Sequence, residues 1–86
     1  MAISTGSEID VGEIKVRIVE VIETKDFAGN RLLQVAYQIV DGKYVSHTAH
    51  LWVASERELR EQLERVVSDY LRVRDFMRSH MMLKTG

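Results

Sequence analysis

The sequence predicts an α+β fold: a three-stranded antiparallel β-meander followed by one long C-terminal α-helix packed on one sheet face. Two observations carry this. Three runs rich in β-branched residues, largely alternating in polarity, are separated by glycine-containing turns. After them, Ser55 and Glu58 stand at capping-box spacing in front of an apolar stripe with helical period. The chain has 86 residues, enough for one small domain.

Residues 1–12 contain Ser, Gly and acidic side chains without clear periodicity, and read as a flexible N-terminal tail. Residues 13–86 read as a single domain. Its first strand is "EIKVRIVEVIET", residues 13–24. Ile14, Val16 and Ile18 share one face, but Val19 and Val21 then break the alternation. The slip predicts either a bulge near Ile18–Glu20 or a strand covered on both faces over its far half. "KDFAGN", residues 25–30, is a turn in which Gly29 and Asn30 tolerate positive φ.

The second strand is "RLLQVAYQIV", residues 31–40, with Leu33, Val35, Tyr37 and Ile39 on one face. Asp41-Gly42 marks the next reversal. A loop Val40-Asp41-Gly42 pairs Tyr37 with Val45, Val35 with His47 and Leu33 with Ala49, which keeps one face apolar. The third strand then runs from Lys43 to Val53. Its apolar face carries Val45, His47, Ala49, Leu51 and Val53, and the opposite face carries Tyr44, Ser46, Thr48, His50 and Trp52.

The helix starts after Ser55 and extends to about Met81. Leu59, Leu63, Val66, Tyr70, Val73 and Met77 repeat at 4,3 spacing, widened by Val67 and Leu71. Such a helix is roughly 39 Å long, whereas a ten-residue strand spans roughly 33 Å. The end of the helix is therefore expected to overhang the sheet, carrying Phe76, Met77, Met81 and Met82.

Composition narrows function more by exclusion than by assignment. There is no cysteine, so disulfides and thiolate chemistry are excluded, and a reducing, cytoplasmic setting is the expectation. No apolar run approaches the length of a membrane span, and the N-terminus has no secretory pattern. His47 and His50, three apart on a strand, point to opposite faces and cannot grip one ion. Neither a metal nor a cofactor is expected. No nucleophile–base pair or phosphate-cradling glycine loop is visible, so the expectation is a non-enzymatic module.

A single helix covers only one face of such a sheet. The leading expectation is therefore a small homo-oligomeric interaction module of unknown partner, a dimer or higher assembly. It would associate through the open sheet face and the Met-rich helix end. On the face, Leu32, Tyr44, His50 and Trp52 are the candidate interface residues; on the helix end they are Phe76, Met77, Met81 and Met82.

The alternative is nucleic-acid binding. The junction "LWVASERELREQL" has an aromatic residue late in the third strand, then a capping box and an amphipathic helix. It is similar in arrangement to the arm-site domains of tyrosine recombinases and to a class of three-stranded plant DNA-binding domains. The resemblance covers about 40 residues and implies a sheet that enters the major groove. Lys15, Arg17, Gln34, Gln38, Thr48, His50 and Trp52 would then be the readers. The net charge of −1 disfavours this alternative.

Overall fold

The computed structural model of the chain describes residues 5–85, with side chains described as far as His80. It is an α+β arrangement of one antiparallel sheet and one C-terminal helix. The elements are β1 (Glu8–Val11), β2 (Ile14–Lys25), β3 (Arg31–Asp41), β4 (Tyr44–Val45), β5 (Ala49–Val53) and α1 (Glu56–Thr85). The sheet runs β1-β2-β3, and both β4 and β5 pair along the far side of β3. The sheet thus has five strands where the sequence suggests three, and two separate causes account for the difference.

The first cause lies at the N-terminus. Residues 8–11, expected to belong to a flexible tail, form β1 and pair with β2 from Glu8–Arg17 to Val11–Ile14. Ile9 and Val11 are half-buried on the helix side, packed against the core. Four residues alternate too briefly to stand out in sequence. The reversal into β2 uses Gly12 at φ 62 and Glu13.

The second cause is a break in the third predicted strand. The β3–β4 reversal is a two-residue turn, Gly42-Lys43, closed by Asp41 opposite Tyr44. Gly42 has φ 61 while Lys43 stays at negative φ, the pattern of a type II′ turn with Gly first. The expected Val40-Asp41-Gly42 loop is therefore corrected, and so is its register: Val40, not Tyr37, faces Val45. Residues 46–48 then leave the ladder. Ser46 covers the gap, because its Oγ accepts the Ile39 N–H at 2.8 Å while its own N–H bonds the Ile39 carbonyl at 2.9 Å. Pairing resumes one residue out of step, with Tyr37 opposite Ala49 and Leu33 opposite Val53.

Of the two readings of the phase slip in the first long strand, the bulge is the one present. Ile18 pairs with Tyr37 and Glu20 with Ala36, leaving Val19 as the extra residue. Before it, Ile14, Val16 and Ile18 face the helix; beyond it Val21 does, and Ile22 turns to the other side. The β2–β3 loop is held by Asp26, whose Oδ1 accepts the N–H groups of Ala28 (2.9 Å) and Asn30 (2.8 Å). Gly29 supplies the positive φ of 84 that this tight loop needs.

The helix starts as the sequence predicts. Ser55 Oγ accepts the Glu58 N–H at 3.2 Å, and Glu58 Oε2 accepts the Ala54 N–H at 3.1 Å. The core is one layer between α1 and the sheet: Leu59, Leu63 and Val67 against Ile14, Val16, Ile18, Leu33, Val35, Tyr37, Ile39 and Val53. Burial along the helix fades after Leu71. At 30 residues α1 is about 45 Å long, so its last turns project past the strands. Val73, Phe76 and Met77, expected on the packed stripe or the overhang, are all more than half exposed.

Candidate functional site

Three surfaces gather the chemistry that the fold leaves unused: the sheet face away from α1, the free end of α1, and a polar cluster that fastens the helix to the sheet.

The polar cluster was not legible in sequence. Asp41, which reads as a turn residue, accepts a hydrogen bond from the Tyr70 hydroxyl at 2.8 Å through Oδ2. Arg74 donates to the same oxygen at 3.0 Å and, through its other terminal nitrogen, to Glu13 Oε1 at 3.0 Å. One guanidinium thus ties the β1–β2 turn, the end of β3 and the helix. Tyr44 stacks on Tyr70 with ring centroids 6.0 Å apart and an interplanar angle of 16°. Tyr44 was expected on the open sheet face. The Gly42-Lys43 turn places it opposite Asp41, on the helix side, and that assignment is corrected.

The hydrogen bonds from Tyr70 and then Arg74 hold the Asp41 carboxyl below the usual carboxylate range. Burial, and next the bond to Asp41, push the Tyr70 hydroxyl up. A lowered carboxyl stabilises the fold above its ordinary value of 3.8, and that contribution is lost as pH falls through the lowered value. A raised hydroxyl stabilises it below 10.0, and that contribution is lost as pH rises through the raised value. The latch is therefore at full strength between these limits. Asp41→Asn is expected to shrink the fall in thermal midpoint on acidification. Asp26, also lowered, chiefly by its bond from the Asn30 N–H, leaves a residual acid dependence in the variant. An unchanged acid limb in circular-dichroism melts would contradict this assignment.

Beside the latch, Tyr44, Tyr70, Val73, Arg74, Met77 and Arg78 line an open groove of about 410 Å³. Phe76 is on the neighbouring helix surface, 70% exposed and stacked on His80 with centroids 6.2 Å apart. The helix-end candidates Phe76 and Met77 are thus brought next to an apolar depression. Met81 and Met82 have side chains outside the described residues.

The open sheet face holds Leu32, Gln34, Gln38, His50 and Trp52 as expected. Trp52 is 56% exposed and pairs across to Gln34, which is flanked on its other side by Ile22. His50 pairs across to Ala36, with Glu20 beyond it, around a dent of only about 30 Å³. Polar and apolar side chains therefore interleave, and no broad apolar patch forms. Thr48 lies in the segment that leaves the ladder; so does His47, expected beneath the helix and found exposed.

Lys15 and Arg17 also point to this face, but β1 sets Asp10 opposite Lys15 and Glu8 opposite Arg17. Glu8 Oε2 comes within 3.6 Å of Arg17 Nε. The strand that sequence reasoning missed thus places an acid beside each base that a phosphate backbone would need. Phe27 was also missed. It is fully exposed at the tip of the β2–β3 loop, and its only sequence signal is an aromatic residue inside a turn that also holds Asp26, Gly29 and Asn30.

No group of three or more metal-ligating side chains occurs among the described residues, and no helix there is long and apolar enough to cross a membrane. No family model, curated protein or solved structure matches the chain.

Proposed function

We propose that the protein is a self-associating module whose principal contact is the free end of α1 docked on a second copy. The observation that carries this reading is the exposure of Val73, Phe76 and Met77 on a helix that has outrun its own sheet, with Val73 and Met77 in the wall of an open groove and Phe76 projecting from the adjoining helix surface. A two-fold contact requires one patch to present both the knob and the hole, and this patch has both.

The charges agree with that contact. An antiparallel crossing of two helices centred between Val73 and Arg74 sets Met77 opposite Tyr70. It also sets Arg78 opposite Asp69 on the flanks of the contact, base against acid. Arg74, at the centre, is already matched by Asp41 and Glu13 within its own chain. A small domain also gains most from such burial, because its own core is modest.

Light scattering at increasing concentration is expected to show a dimer. Met77→Lys, at an exposed site, is expected to weaken association by roughly 30-fold, the equivalent of about 2 kcal/mol at an interface hot spot. A wild-type chain that stays monomeric at hundreds of micromolar would defeat the reading.

A further inference from the structure

Among the described residues the sheet leaves backbone free along the outer sides of β1, β4 and β5 and along residues 19–25 of β2, beyond the reach of β1. β4 is only two residues long, and β1 carries the acids Glu8 and Asp10. The β2 and β5 edges are built differently. The β2 edge carries the bulge at Val19 and the charged residues Glu20, Glu23 and Lys25, with Glu23 bonded to Arg31 at 3.0 Å. A bulge and edge charges are the devices by which proteins prevent strand addition. The β5 edge, Ala49-His50-Leu51-Trp52-Val53, has no Lys, Arg, Asp, Glu or Pro and no bulge within its five residues.

We infer that β5 is an assembly edge, and that its occupant is β5 of a second copy of this chain, added antiparallel across a two-fold axis. The strand is its own complement. Centred on Leu51, the pairing sets Trp52 opposite the second copy's His50 on the open face. On the helix side it sets Ala49 opposite Val53 and Leu51 opposite itself. A small residue then meets a branched one, the half-buried Ala49 and Leu51 are covered, and no like charges meet. An unrelated extended peptide would satisfy the backbone equally well but gains no such side-chain match. The two sheets would join into one continuous sheet with both Trp52 side chains on the same face. This contact uses a surface separate from the helix end and stands whether or not the helix end associates.

Amide hydrogen exchange, followed residue by residue at low and high protein concentration, tests the inference. The β5 amides that point away from β3 are expected to slow by at least tenfold at high concentration. Trp52→Lys, which charges the β5 edge at an exposed position, is expected to abolish that slowing; Ile22→Lys, on the same face but across the sheet from β5, is expected to preserve it. Concentration-independent exchange in β5 would overturn the inference. So would loss of the slowing in Ile22→Lys, which points instead to packing of whole faces. Met77→Lys separates the two contacts: β5 protection that persists in this variant supports edge pairing by itself. A dimer without β5 protection leaves only the helix-end contact standing.

Discussion

Leu63→Ala is expected to lower the unfolding free energy by about 2–5 kcal/mol, the range for truncating a fully buried leucine. Leu63 is completely buried, at the centre of the α1 stripe between Leu59 and Val67. The core is a single layer, so no second layer can collapse into the void and the high end of the range is expected. A domain of this size has roughly 4–13 kcal/mol in total, at about 0.05–0.15 kcal/mol per residue. The substitution therefore removes a large share of it. Urea unfolding is expected to show a midpoint lower by at least about 1 M with little change in slope. Leu63→Met, which conserves volume, is expected to cost less than about 1.5 kcal/mol. A midpoint as high as that of an exposed control such as Arg65→Ala would show that α1 does not pack as described.

Ile18→Ala and Ile22→Ala are expected to differ sharply although both residues lie on β2, four positions apart. Ile18 is fully buried beneath the helix, whereas Ile22 is 44% exposed on the opposite face. The first truncation is expected to cost about 2–5 kcal/mol, and the second under about 1 kcal/mol. In a regular strand, residues four apart share a face and the two costs would be alike. The difference in denaturant midpoint therefore measures the bulge directly. Equal midpoints would mean that β2 runs without one.

That bulge was legible in the sequence, because Val19 and Val21 break an alternation that Ile14, Val16 and Ile18 had set up. The helix was legible for a similar reason. Its cap needs only Ser55 and Glu58 at fixed spacing, and its period persists over many turns. What escaped was short or non-local. β1 is four residues long and offers only two cycles of alternation. The break at Ser46 depends on a hydroxyl reaching the Ile39 N–H, a contact between residues that no periodicity links. Asp41 has the composition of a turn, and nothing nearby reveals that Tyr70 and Arg74 will close on it from far along the chain. The candidate surfaces divide in the same way. Phe76 and Met77 were visible as a stripe longer than the sheet, while Tyr44 was assigned to the wrong face because one turn has two residues, not three.

The attachment of Arg74 to Asp41 and Glu13 has a consequence for the thermodynamics of the helix end. A free segment of about a dozen residues is a poor helix in water, because the first turn fixes several residues for one hydrogen bond. The segment from Asp75 to Thr85 never faces that step. It continues from a turn already immobilised at the sheet, so each further residue costs only propagation. The end is thus spared the nucleation step, and a partner that docks there need not supply the free energy to start the helix.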